Sequence, residues 1–418
     1  MSDLKVPWMF RIQGNALSEV TAFPYMENLT SISFRSNHIS KIDEAAFMNL
    51  TNLEYLDLSY NNLTEQSLDP EIFRGPFTDK APDPIPLKEL KLAHNKITSL
   101  PKNCFQHVPN LTSLDLSYND FVDLSIKTAQ AISELRKLEK LDLSYTRLAR
   151  LPDHFFAELR NLVELDLSGN EFFRVPAEVN FAHSLRTLSL NDNLFGTIGA
   201  NDFWSSLNQL ETLNLKQSRT LYQLGNGAFG NLTSLRTLFL SDNPQLSDVY
   251  PLAFTNSKNE TLHLLELHLE GNDLSSLPIE ALPWHEIPYL NLQSNPWNCD
   301  CKFEWIAKDV IPAMVQNNNE LASRVTCANP QELIGHRVAS QVVQDHKFVC
   351  QSPNFHRRYG FIVVATIVVG TLLLVTGTII FSYVLFRRAK IHDWVGENVK
   401  YRRTMNEDEE IITSNVQY

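Results

Sequence analysis

The sequence predicts an α/β solenoid: a horseshoe of about twelve stacked coils with a parallel sheet on its concave face, then a cysteine-rich cap and one apolar helix. Three observations predict it. The residues LDLSY occur at 56–60, 114–118 and 141–145. They sit in a frame, L-x-x-L-x-L-x-x-N-x-L, whose Asn slot recurs at spacings of 22 to 34 residues. A Phe recurs between copies, at Phe47, Phe73, Phe105, Phe156, Phe203, Phe229 and Phe254. Repetition at such periods marks a stacked array, because one repeat cannot bury its apolar side alone.

Each element of the frame has a physical reason. L-x-L alternation is a strand signal, since successive side chains point to opposite faces. Leu56 and Leu58 therefore turn inward and Asp57 outward. The Asn slot falls at Asn15, Asn37, Asn61, Asn95, Asn119, Thr146, Asn170, Asn193, Ser218, Asn243, Asn272 and Asn295. There the chain leaves the strand, and an Asn side chain satisfies backbone groups that a tight turn leaves open. Thr146 and Ser218 shorten two rungs of this ladder, which should be looser. Between Asn61 and Asn95 the repeat grows to 34 residues, and Pro76, Pro82, Pro84 and Pro86 stiffen an excursion that is expected not to be sheet. It is read either as a ligand-contacting loop or as a passive insertion.

These features resemble the leucine-rich repeat family, with the match running from near residue 7 to residue 297. Four cysteines follow in the pattern C-x-C, then one each at 327 and 350, and this resembles the C-terminal flank of extracellular leucine-rich repeat proteins. Four cysteines allow three pairings; the resemblance implies Cys299–Cys327 and Cys301–Cys350, with Trp297 and Trp305 as apolar plugs. A zinc site is the rival reading, although C-x-C is poor zinc spacing. Cys104 holds a slot filled by Ala46, Ala228 and Ala253 in other coils, which reads as packing rather than as a reactive thiol.

Residues 361–386 carry no charge and are long enough to span a bilayer as a helix of about 39 Å. Arg387, Arg388, Lys390, Lys400, Arg402 and Arg403 follow, against Arg357 and Arg358 before it. That excess puts the C-terminus in the cytoplasm and the repeats outside, a single-pass type I arrangement at the plasma membrane. Six N-x-S/T sequons, at Asn28, Asn49, Asn62, Asn110, Asn231 and Asn259, all precede the span. The formal charge of −12 belongs to the external part, because the tail has equal numbers of acids and bases. This disfavours nucleic acid and anionic membranes as partners and favours a basic protein. The N-terminus shows no apolar signal region. The expectation is a truncated chain, with a reverse signal-anchor at 361–386 as the alternative.

The expected domains are repeats at 1–297, a cap at 298–352, a linker at 353–360, a transmembrane helix at 361–386 and a disordered tail at 387–418. The outward mid-strand positions supply candidate ligand contacts: Asp57, Lys91, Asp115, Asp142, Asp166, Phe239 and His268, with Tyr60, Tyr118 and Tyr145 just beyond the strands. Phe239 reads as an exposed anchor beside Arg236 and Asp242. The LDLS phrase is common in the family, so the Asp column is equally read as scaffold. No catalytic constellation, cofactor loop or metal-ligand spacing is present in the sequence.

The chain resembles Toll-like receptor ectodomains and leucine-rich repeat transmembrane adhesion proteins, without a Toll/interleukin-receptor domain. The resemblance implies a non-enzymatic cell-surface receptor or adhesion protein binding an extracellular protein on the concave face. Two other readings are a signalling-deficient pattern-recognition co-receptor or decoy in innate immunity, and a trafficking chaperone of other receptors. Gly370 and Gly377 offer a lateral contact for a receptor partner through the membrane helix. The 32-residue tail offers a sorting-adaptor motif at 407–412 and a C-terminal VQY suited to a PDZ domain.

Overall fold

The computed structural model describes residues 7–77, 82–200, 206–350, 365–388 and 390. The chain divides into two units, Met1–Val349 and Cys350–Tyr418. Phe203, the expected linker at 353–360, the first residues of the apolar span at 361–364 and the tail motifs lie outside the described residues.

The first unit is a solenoid with a twelve-stranded parallel sheet, each strand hydrogen-bonded to the next in chain order. The strands run from Trp8–Arg11 through Tyr55–Asp57, Ser113–Asp115 and Thr237–Phe239 to Tyr289–Asn291. Register follows the frame: Leu56, Leu90 and Leu114 pair across successive strands, and so do Asp57, Lys91 and Asp115. The inward leucines are fully buried, with Leu56, Leu90, Leu188, Leu213, Leu238 and Leu267 all at 0% exposure. On the return side a Phe spine fills the other half of the core. Phe23, Phe47 and Phe73 stack at 6.2 Å steps, and Phe229 and Phe254 stack at 5.5 Å. One return segment is a true helix, Ile126–Ser133, whose first turn is capped by the Ser125 hydroxyl accepting from the Thr128 N–H.

The Asn ladder is explicit. Asn61 donates from Nδ2 to the carbonyls of Phe34 in the coil before and Leu58 in its own, and its Oδ1 accepts from Ile39 N–H. Asn95, Asn119, Asn193, Asn272 and Asn295 repeat this stitch. Asn15 does not: it is exposed, and its amide donates to Gln13 O alone. The two hydroxyl rungs differ. Thr146 is buried and bonds to Leu143 O and Asn170 Oδ1, so it holds its own turn while giving no stitch to the coil before. Ser218 keeps its N–H bond to Asn243, but its hydroxyl is buried without a partner.

The residue before every rung is in the left-handed region: Gly14, Ser36, Tyr60, His94, Tyr118, Tyr145, Gly169, Asp192, Gln217, Asp242, Gly271 and Ser294 have φ between 50° and 70°. The stitched turn imposes this on non-glycine residues, at about 1 kcal/mol each.

The proline excursion corrects the expectation drawn from its composition. Arg74–Phe77 and Pro82–Pro84 pair antiparallel as a separate two-stranded ribbon. Proline is tolerated there because a two-stranded ribbon consists only of edges. Gly75 is required for the close approach, since a Cβ would stand 1.9 Å from the Asp83 carbonyl oxygen.

At the end of the sheet Trp297 is fully buried, its Nε1 donating to Leu292 O. The cap helix spans Ile306–Val310 and Ile311–Ser323. Cys299 and Cys327 form a disulfide with Cα atoms 5.7 Å apart, and Cys301 and Cys350 are also disulfide-bonded. Cys104 is free and buried, donating to Leu68 O, and burial pushes its thiol pKa up. In the second unit Ala365–Arg388 is a helix long and apolar enough to cross a membrane, with mean hydropathy 2.2.

Candidate functional site

The parallel register sets outward side chains in columns across the sheet. The mid-strand column holds the four expected aspartates, but they are not free groups. Asp57 is buried, and its Oδ1 accepts from Ser59 N–H. Asp115, Asp142 and Asp166 are half-buried and accept in the same way from Ser117, Ser144 and Ser168. The LDLS phrase is thus a turn device as well as a surface. Burial first, and then the neighbouring charges of Asp166 and Asp115, raise the Asp142 pKa to about 6 against the pull of Ser144. Lys91 pairs with Glu89 at 3.2 Å and lies over the Tyr55 ring.

Beyond the strands, the left-handed corner gathers one set of rings. Tyr60, His94, Tyr118 and Tyr145 stack face to face at 3.9, 4.0 and 4.5 Å between centroids. The Arg35 guanidinium covers Tyr60 at 4.1 Å. At the other end the Tyr145 ring lies over Gly169, where a Cβ would approach it to 2.2 Å. Burial and Arg35 lower the His94 pKa, opposed by Asp115, which favours a neutral ring inside the stack. The tyrosines are 39%, 44% and 37% exposed, so the column presents ring edges to solvent.

A second set lies toward the cap. Phe239 and His268 stack at 4.5 Å, Tyr289 tilts onto His268 at 5.0 Å, and the Lys216 ammonium stands 4.6 Å from the Phe239 ring. His268 Nε2 lies 2.9 Å from a Glu266 carboxylate oxygen and Nδ1 3.2 Å from one of Glu270, so the protonated ring donates to both. Burial opposes its charge, but the hydrogen bonds and charges of Glu270 and Glu266 outweigh it and raise the pKa above the ordinary value. Phe239 is half-buried, and its partners are Lys216 and His268 rather than the Arg236 and Asp242 expected from sequence neighbours.

The sequence reading therefore placed the three tyrosines together and missed His94 between them. The signal was available, since His94 fills the slot before a rung, as the three tyrosines do. It also missed Glu266, Glu270 and Lys216. The ELHLE phrase carries the first two, because residues two apart share a strand face. Among the sequons, Asn231 and Asn259 are exposed. Asn28, Asn49, Asn62 and Asn110 are half-buried, and Asn49 donates from Nδ2 to Phe23 O. No group of metal-ligating side chains occurs among the described residues.

With twelve parallel strands and nine Asn-stitched turns in place among the described residues, comparison with known proteins identifies the class. The Leucine rich repeat family model matches residues 12–75, 83–121 and 128–172, and the BspA type Leucine rich repeat region matches 177–270. Human lumican is 30% identical over 281 residues, covering 62% of this chain and 71% of lumican. Rat osteomodulin is 28% identical over 295 residues, covering 68% of this chain and 57% of that protein. The chain belongs to the leucine-rich repeat family. Among solved structures, the TLR13–ssRNA13 complex matches with a TM-score of 0.56 at 23% identity, covering 77% of this chain and 51% of that one. The mouse RP105/MD-1 complex matches with a TM-score of 0.54 at 19% identity, covering 82% and 58%. These two likenesses show the fold, and the chain spans little more than half of either structure.

Proposed function

We propose that the protein is a cell-surface receptor or adhesion protein that binds an extracellular protein on the concave face. The observation that carries this reading is the pair of pre-organised aromatic sets on one continuous sheet, at Tyr60–Tyr145 and at Phe239–His268. Stacked rings present large contact area at little conformational cost, the usual composition of interface anchors. The TLR13–ssRNA13 complex contains RNA. Here the mid-strand column carries Asp57, Asp115, Asp142 and Asp166 instead, which repel phosphates and favour a basic protein surface. The apolar helix at 365–388, the basic residues after it and the disulfide-bonded cap support a type I membrane protein with the repeats outside. The five expected regions, repeats, cap, linker, helix and tail, fit that arrangement.

Phe239→Ala tests the reading in full-length protein on cells. Its surface level should match wild type, while capture of cell-surface partners by cross-linking falls about tenfold, the loss of one anchor. Unchanged capture would remove Phe239 from the binding face. Aggregation of expressing cells would support adhesion, whereas recovery of a signalling receptor through Gly370 and Gly377 would support the co-receptor reading. A glycan map should show full occupancy at Asn231 and Asn259.

A further inference from the structure

His268 ends the strand Glu266–His268 with a carboxylate facing each ring nitrogen, Glu266 at Nε2 and Glu270 at Nδ1. The ring is held by stacking, 4.5 Å from Phe239 on the preceding strand and 5.0 Å from Tyr289 on the following one. That stack fixes the plane of the imidazole, so its nitrogens keep facing the two carboxylates. Tyr289 is the titratable side chain on the strand Tyr289–Asn291. The other charged groups nearby have places of their own. The Lys216 ammonium stands over Phe239, one coil before. Arg236 donates to the carbonyls of Leu235 and His263. Asp242 lies against Gly271, where a Cβ would meet its Oδ1 at 2.4 Å.

A charged imidazole has an N–H on each nitrogen and satisfies both carboxylates; a neutral one has a single N–H. When the proton leaves to solvent, one nitrogen turns a lone pair on its carboxylate and repels it. Burial decides which carboxylate loses. The Glu270 side chain is 21% exposed, and its Oε2 is already buried without a hydrogen-bond partner. Taking the donor from its other oxygen would leave a buried charge wholly unpaired, the costlier outcome. The Glu266 side chain is 36% exposed and can turn to water. Nδ1 therefore keeps its proton for Glu270, and Nε2 releases Glu266. In register Glu266 sits between Thr237 and Tyr289, neither of which carries a positive charge. The freed carboxylate thus has no cation waiting on the neighbouring strands.

We propose that this clamp is a proton-operated release device on the concave face: with His268 neutral, Glu266 takes a lysine or arginine side chain of the partner, and with His268 charged, the ring reclaims Glu266 and the partner leaves. Burial opposes the ring's charge, but Glu270 and Glu266 outweigh it and raise the pKa above the ordinary value. The clamp is closed below that pKa and open above it. The partner's basic group and the proton on His268 compete for one carboxylate, so each weakens the other by the same factor. The release step rests on the concave-face reading proposed above; the clamp itself does not.

The test maps free carboxylates in the full-length protein by carbodiimide coupling of lysinamide, a small cation, followed by peptide mass spectrometry. Fragment ions separate Glu266 from Glu270, and the exposed Glu280 serves as internal reference. Glu266 labelling relative to Glu280 should rise about fivefold between pH about 5 and about 7.5, where histidine loses its charge, while Glu270 stays low. His268→Phe keeps an aromatic ring in the stack and removes both donors, so Glu266 labelling should be high at both pH values. Glu270→Gln supplies an amide that donates to Nδ1 and leaves the ring N–H for Glu266, so labelling should be low at both. Surface delivery reports whether each variant folds, and the wild-type profile decides alone if neither does. A flat wild-type profile, or one carried by Glu270, overturns the clamp. For the release step, biotinylated cell-surface proteins captured at pH about 7.5 should leave the wild type at pH about 5 and stay on His268→Phe. Equal retention by the wild type at both pH values overturns release. No capture at either pH counts against the concave-face reading, and the labelling profile still decides the clamp.

Discussion

The two aromatic sets on the sheet are built on opposite principles. The Tyr60–His94–Tyr118–Tyr145 column grows from the backbone: each ring occupies the left-handed corner before a rung, Asn61, Asn95, Asn119 or Thr146, and the repeat height sets the spacing. The Phe239–His268–Tyr289 set grows from the strand, and charge holds it, with carboxylates on both ring nitrogens of His268 and an ammonium over Phe239. In the first, burial and Arg35 lower the pKa of its histidine and favour the neutral ring. The second titrates. One sheet therefore offers a constant surface and a variable one.

The comparison can be broken at four places. The largest effect is expected from Tyr118→Ala, which removes two ring contacts worth about 0.5–1.5 kcal/mol each and keeps the left-handed strain. Thermal melting should fall at every pH; a loss confined to one pH would contradict the backbone-built column. Asp142→Asn comes next. A carboxyl whose folded pKa stands near 6, against 3.8 unfolded, contributes stability at low pH that is lost as pH rises through 6. The variant should gain roughly 1–3 kcal/mol at pH about 8 and nothing at pH about 4, read by denaturant titration. Equal gains at both would assign the effect to packing.

Ser218→Asn should add about 1 kcal/mol by restoring a stitch between the coils that separate the two sets. Hydrogen exchange at neighbouring amides would report it, and faster exchange would mean that the buried turn cannot admit the amide. The smallest effect belongs to His268→Gln. Its raised pKa makes the wild-type contribution full below about 6.5 and lost as pH rises through the folded value. The variant should flatten the melting temperature between pH about 5 and 8, and an unaltered slope would place the titration elsewhere.

Much of this was legible in the sequence because the frame is local. Leu spacing named the buried column, the Asn slot named the stitch, and register carried Asp57, Lys91 and Asp115 onto one line. What escaped depends on contacts between coils. Spacing left the aspartates open between ligand contact and scaffold, because their bonds to the serines two residues on depend on turn geometry. The ribbon at Arg74–Phe77 escaped because four prolines read as a ban on pairing, which holds only for interior strands. Phe239 was given the wrong neighbours because Lys216 and His268 sit one coil away on either side, more than twenty residues off in sequence.

Gly169 fixes the length of the tyrosine column. The Tyr145 ring rests where any larger residue would put its first carbon. The array therefore carries its own terminator in a single missing methyl. Any substitution that adds a side chain at this glycine must first displace the Tyr145 ring.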